Sequence, residues 1–189
     1  MEIIKNNLAN ILTVARLFTL PIIVALFYAE QSWGAIAVWL CLFLYIISAI
    51  TDYLDGYIAR KYDQITDFGT FLDPISDKIF VSTLLIMLVA FERITDIWVV
   101  LVVLIFAREF LVSGFREFLG PKNIKLPVSV LAKWKTAIQM LCLGFLIIGN
   151  HAPYALGLGL IFLTLATTLT LITGFSYMAL SLKHMKEIE

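Results

Sequence analysis

Charge is scarce in this 189-residue sequence: Asp, Glu, Lys and Arg together make 15% of it, against about a quarter in an average soluble domain. A water-facing surface cannot be covered with so few charges, which excludes an ordinary soluble globular protein. Cysteine is nearly absent. Cys41 and Cys142 both fall inside long apolar runs and read as small buried hydrophobes, so neither a disulfide framework nor thiol chemistry is expected. The two histidines, His151 and His184, lack metal-ligand spacing and read as surface residues. The formal net charge is zero, so only the placement of the charges is informative, and no nucleic-acid partner is expected. Internal repeats and low-complexity tracts are missing too.

What is present is hydrophobicity, with 61% apolar residues and a mean hydropathy of +0.94. Apolar runs at 11–29, 34–51, 68–91, 95–115, 128–149 and 153–181 are each long enough, or nearly so, to cross about 30 Å of hydrocarbon as a helix. They lack the alternation of barrel strands. The sequence therefore predicts an all-α polytopic membrane protein of six transmembrane helices, one domain over 1–189, with short polar, Gly or Pro links between antiparallel neighbours. The apolar stretch from Leu17 to Tyr28 follows Lys5 and Arg16 as a secretion signal would, but it has no small-x-small cleavage site before Glu30 and is expected to remain as the first span. Ahead of it, Ile3, Ile4, Leu8, Ile11 and Leu12 share one helical face opposite Lys5, Asn6, Asn7 and Asn10, the pattern of a short helix lying in the headgroup layer.

The positive charges are sorted. With the N-terminus inside, Lys5, Arg16, Arg60, Lys61, Lys78, Arg108, Arg116, Lys122, Lys125, Lys133, Lys135, Lys183 and Lys186 all lie on the inner side, and Arg93 alone on the outer. Lys/Arg bias sets orientation, so both termini are expected in the cytoplasm. With no Arg- and Ser-rich transit segment, a bacterial plasma membrane is favoured over an organelle.

Asp52, Asp55, Asp73 and Asp77 sit in otherwise apolar helices. An Asp at the centre of a membrane helix costs about 2.5 to 3.5 kcal/mol, so four of them must be neutralised. Asp52, Asp55, Gly56, Ala59 and Arg60 make one helical stripe, and Gly69, Asp73 and Asp77 another. Two antiparallel helices joined by the short link after Lys61 would bring the four carboxylates together near the inner surface. The nearby cations Arg60, Lys61 and Lys78 are few, and clustered oxygen ligands suit a hard divalent metal better. The alternatives are that the acids pair with bases on neighbouring spans and that Gly56, Ala59 and Gly69 only let helices approach closely. Asp63 and Asp67, in the polar link, read as solvated charges or a helix cap.

The full pattern, Asp52-x2-Asp55-Gly56-x2-Ala59-Arg60-x8-Gly69-x3-Asp73-x3-Asp77, resembles the signature of the CDP-alcohol phosphatidyltransferase family at all eight positions. That resemblance implies a six-helix membrane enzyme, commonly a homodimer, that uses Mg²⁺ or Mn²⁺, with a pair of ions, to transfer a phosphatidyl group and release CMP. It implies Asp52, Asp55, Asp73 and Asp77 as the metal site, Asp77 being also the base for the acceptor hydroxyl. It further implies that Gly56, Ala59, Arg60 and Gly69, with Asn10 and Thr13 from the first span, bind the donor CDP-diacylglycerol. Spacing alone does not say which acid is base and which is ligand.

Arg108 and Arg116 in the fourth span and Lys133 and Lys135 at the start of the fifth can share the inner ends of their helices, paired either with Glu109, Glu117 and lipid headgroups or with a substrate phosphate. Asn10-x2-Thr13-x2-Arg16, Ala107-Arg108-Glu109 with Arg116-Glu117, and Lys133-x-Lys135-Thr136 resemble the bacterial branch of the family whose acceptor is sn-glycerol 3-phosphate. By that resemblance the acceptor phosphate lies on Arg108, Arg116, Lys133 and Lys135. Two other readings stand beside it: a family member with phosphatidylglycerol as acceptor, and a cation transporter or channel using the aspartates. Transport would call for carboxylates at the bilayer midplane and broken helices, whereas these acids gather toward one face.

Overall fold

The structure is a computed structural model. It describes residues 8–61, 67–120 and 130–186, and the side chains of 13–52, 69, 71–120 and 130–182. Among these the regular structure is helical: α1 (Leu8–Trp33), α2 (Ala35–Lys61), α3 (Asp67–Ala90), α4 (Trp98–Leu119), α5 (Val130–Ile148) and α6 (Ala155–Lys186), with a 3-10 turn at Gly149–His151 between the last two. In hydrocarbon every backbone N–H and C=O must be satisfied within its own segment, and a helix does this. Hydroxyls on the spans follow the same rule: Thr136, Thr164, Thr168, Thr173 and Ser176 each donate to the carbonyl four residues back.

The protein is a multi-pass all-α membrane protein. Among the described residues five helices are long and apolar enough to cross a bilayer: Thr13–Trp33 of α1, Ala35–Asp52 of α2, Trp98–Leu119, Val130–His151 and Ala155–Leu182. The sixth expected span, α3, has 24 residues, but Asp73, Asp77 and Lys78 interrupt its apolar character in the N-terminal half. Large apolar side chains such as Phe18, Ile36, Phe43, Phe71 and Phe110 point outward and are more than half exposed, a surface compatible with lipid and not with water. Of the expected headgroup-layer helix, residues 1–7 lie outside the described residues. Leu8, Ile11 and Leu12 belong to α1 itself, with no break before the first span, because nothing between them and Thr13 interrupts the helical hydrogen bonds.

The chain divides into two compact units, one comprising residues up to Arg93 with Ile147–Pro153, the other Ile94–Leu146 with Tyr154 onward. In the first, α1 packs on both α2 and α3. Gly34, at φ +56°, reverses the chain between α1 and α2, and its N–H donates to the Glu30 carbonyl at 2.8 Å. The buried face of α1 reads Thr13, Arg16, Leu20, Ile23, Phe27, that of α2 Val38, Cys41, Tyr45, Ser48, and that of α3 Ser76, Phe80, Leu84, Leu88. These are single helical stripes, and each turns from apolar to polar toward the same end.

In the second unit α4 packs on α6. The buried stripe of α4 is Val102, Ile105, Arg108, Val112 and Leu119, and that of α6 runs Leu163, Ala166, Thr170, Thr173, Tyr177, Ser181. Gly159 lets α6 approach α5: a Cβ there would stand 2.6 Å from the Leu146 side chain. Cys142 donates to the Gly159 carbonyl at 3.4 Å. Both cysteines are free and buried.

Candidate active site

The polar ends of the three stripes in the first unit meet at Arg16. Its guanidinium pairs with the Asp52 carboxylate of α2 through Nη2 and donates through Nη1 to Asp77 Oδ1 of α3 at 2.5 Å. Thr13, one helical turn earlier, donates to Asp73 Oδ1 at 2.8 Å. Thr19 donates to the Arg16 carbonyl at 2.7 Å, and its hydroxyl lies 3.1 Å from that of Ser48 on α2. The first helix is thus the strut of the site, and the aspartates hang on it from either side.

Of the cations close to the motif in sequence, Arg60 and Lys61 have side chains outside the described residues; Arg16, far away in sequence and on a neighbouring span, pairs with both Asp52 and Asp77. Its place was readable in principle, since Thr13, Arg16, Leu20, Ile23 and Phe27 fall at helical spacing on one face. What hid it is that its partners lie about 36 and 61 residues further along.

Burial grades the site. The Arg16 side chain is 3% exposed, Asp52 33% and Asp77 55%, so the arginine belongs to the protein interior, whereas Asp77, like Asp73, is exposed and open to a substrate. Gly69 is buried at the third position of α3. Asp55, Gly56, Ala59 and Arg60 lie in the last turns of α2, and Asn10 in the first turn of α1; their side chains are outside the described residues, as is that of Lys61.

The donor set suits a hard divalent ion. Asp52 and Asp77, from different helices, already converge on one cation, and every donor is oxygen. Among the described residues no three His, Cys, Asp or Glu side chains form a group able to hold a metal ion, and Asp55 is the remaining carboxylate of the motif.

The basic residues of the second unit form a different kind of cluster. Glu109 Oε1 accepts from Lys135 Nζ at 2.6 Å and from Arg108 Nη1 at 3.1 Å. Arg108 is buried and also donates to the Thr170 carbonyl at 3.2 Å and to the Thr173 hydroxyl at 3.0 Å. Gly174 makes room for it, since a Cβ there would meet the Arg108 stem at 2.7 Å. Arg116 lies over the Tyr177 ring, 5.3 Å from its centroid, and donates to the Tyr177 hydroxyl at 3.4 Å. Arg116 and Lys133 are exposed. The four bases therefore split into a buried pair that shares Glu109, one of the partners the sequence offered for them, and an open pair.

Residues 6–175 match the CDP-alcohol phosphatidyltransferase family. The chain belongs to this family. It is 46% identical over 177 residues to the CDP-diacylglycerol–glycerol-3-phosphate 3-phosphatidyltransferase of Rickettsia prowazekii (strain Madrid E), covering 92% of this chain and 94% of that protein. The proteins of the same name from Cereibacter sphaeroides and Bacillus subtilis (strain 168) are 35% and 33% identical, across 96% and 95% of this chain and 98% and 97% of theirs. Phosphatidyltransferases of this family generally depend on a divalent metal. The eight motif positions read from the sequence, Asp52 to Asp77, all lie within the matched span.

His151, expected on the surface, is exposed. Its Nε2 lies 2.9 Å from Glu30 Oε1, which also pairs with Arg93. This cluster sits at the other end of α1, 14 residues or about 21 Å along the helix from Arg16. His184 has its side chain outside the described residues.

Proposed function

We propose that the protein transfers the phosphatidyl group of CDP-diacylglycerol to sn-glycerol 3-phosphate, giving phosphatidylglycerophosphate and CMP, as one catalytic membrane domain over 1–189. The observation that carries this is the junction of Asp52 and Asp77 on a single cation, within a motif complete at all eight positions. Likeness to the Rickettsia prowazekii protein over nine-tenths of both chains supports the choice of donor and acceptor.

In this reading Asp52, Asp55, Asp73 and Asp77 hold a divalent metal, Mg²⁺ or Mn²⁺, as a pair of ions. A metal bound there supplies Lewis-acid stabilisation of the donor diphosphate and of the CMP leaving group. The protein's own residues do the rest. Thr13 and Arg16 orient the carboxylates, while Asn10, Thr13, Gly56, Ala59, Arg60 and Gly69 receive the nucleotide and diphosphate. Asp77, an exposed carboxylate, accepts the proton of the acceptor hydroxyl as that oxygen bonds to the phosphatidyl phosphorus and the bond from phosphorus to the CMP oxygen breaks. Arg108, Arg116, Lys133 and Lys135 bind the acceptor's phosphate, with Arg116 and Lys133 as the open donors. The enzyme works as a homodimer in a bacterial plasma membrane, its termini and active site cytoplasmic.

The test is an acceptor panel on purified protein with labelled CDP-diacylglycerol and Mg²⁺ or Mn²⁺. Glycerol 3-phosphate should yield phosphatidylglycerophosphate and stoichiometric CMP. Cardiolipin formed from phosphatidylglycerol would reassign the acceptor, and failure to release CMP with any acceptor would overturn the enzymatic reading in favour of cation transport.

A further inference from the structure

We infer that Arg16 is the positioning residue of the aspartate cluster: its guanidinium holds Asp52 and Asp77 in place and competes with a divalent cation for them. The inference rests on the metal reading above. Three observations carry it. Arg16 reaches carboxylates on two different helices at once, a task that suits a planar fork and not a point charge. Its side chain is 3% exposed and lies on the same stripe as Leu20 and Ile23, so it is built into the packed face of α1. Its turn is fixed from outside, Thr19 bonding both the Arg16 carbonyl and Ser48 of α2, while Thr13 orients Asp73 on the same face.

The consequences have opposite signs with and without metal. Without metal, Arg16 is a positive charge that offsets the repulsion between the two carboxylates, and removing it leaves that repulsion less compensated at a place where charge is costly. With metal, the same guanidinium is a positive charge within hydrogen-bond distance of two oxygen ligands, and a divalent ion must share them with it. A residue that merely supports the fold would lower stability in both states and leave metal affinity alone. Arg16 should move the two apart.

The experiment uses the full chain in detergent or nanodiscs, with Mn²⁺ as probe, its binding followed by the EPR signal of free Mn²⁺ and by thermal unfolding with and without the ion. Arg16→Gln should bind Mn²⁺ about tenfold tighter or more, melt earlier than wild type in the metal-free state, and gain more from Mn²⁺ than wild type does. Mn²⁺ affinity that is unchanged or weaker in Arg16→Gln overturns the inference while leaving the metal reading intact. Wild type that binds no Mn²⁺ overturns the metal reading and this inference with it. If Arg16→Gln does not fold, Arg16→Lys decides: an ammonium holds one carboxylate at a time, so about threefold tighter binding supports the inference, and wild-type affinity overturns it.

Discussion

Asp52, Asp73 and Asp77 differ in what they touch, and that difference orders their expected phenotypes. Asp52 and Asp77 lean on Arg16, Asp73 on Thr13. Replacing Asp52 or Asp73 by Asn removes a charged oxygen and should abolish turnover while weakening Mn²⁺ binding, whereas Asp77→Asn should lose turnover with donor binding largely retained. Metal dependence like wild type in the Asp52 and Asp73 variants would end the metal-site reading. The split of the basic cluster makes a second residue-scale prediction. Arg116→Gln or Lys133→Gln removes an open, charge-assisted contact of about 1.5 to 3 kcal/mol, so glycerol 3-phosphate should weaken by about ten- to a hundredfold, chiefly in KM, with CDP-diacylglycerol little affected. Steady-state kinetics against each substrate separately reads this, and unchanged acceptor kinetics in both variants would move the phosphate site elsewhere.

Single residues are held by the ends of elements. Helix α3 closes with the N–H of Arg93 bonded to the Leu88 carbonyl at 2.8 Å and that of Glu92 to the Val89 carbonyl at 3.1 Å, Glu92 taking φ 56°. This turn aims Arg93 back at Glu30, and the Arg93 side chain is 9% exposed. Gly149, at φ +54°, lies against the same guanidinium, where a Cβ would stand 2.6 Å from Arg93 Cζ. Gly149→Ala therefore meets both a left-handed backbone and a buried charged group, and should destabilise by about 2 kcal/mol or more. Glu30→Gln leaves Arg93 buried with less than its charge and should cost about 3 kcal/mol. Thermal unfolding in detergent checks both. Metal affinity should stay as in wild type, since the cluster lies about 21 Å along α1 from Arg16; a loss of Mn²⁺ binding in Glu30→Gln would contradict that separation.

For the molecule as a whole the question is which way it faces. Within the first unit, Arg16 with its aspartates and Arg93 with Glu30 occupy opposite ends of α1. By the Lys/Arg bias the Arg93 end is expected on the outside. In a background with Cys41 and Cys142 replaced, a thiol reagent that cannot cross the membrane should label Thr95→Cys in intact cells and Lys122→Cys only after permeabilisation. The reverse pattern would put the aspartates on the side away from cytosolic glycerol 3-phosphate.

Long apolar runs determined the helices, because hydrocarbon leaves the backbone no alternative, and the expected spans agree with α1 to α6 to within a few residues at most ends. The C-terminal end of α2 is the main departure: the apolar run stops at 51 while the helix continues to Lys61, since a motif of acids and small residues keeps helical hydrogen bonding after it stops being apolar. The aspartates and the four bases stood out in the sequence as candidate site residues because charges in such helices are costly. Which charge meets which was not, since periodicity reports the face a residue occupies and not the face opposite. Only tertiary packing brought Arg16 to Asp52 and Asp77, and Glu109 to Lys135, pairs separated by tens of residues and joined because α1 packs on α2 and α3, and because Lys135 of α5 reaches Glu109 on α4.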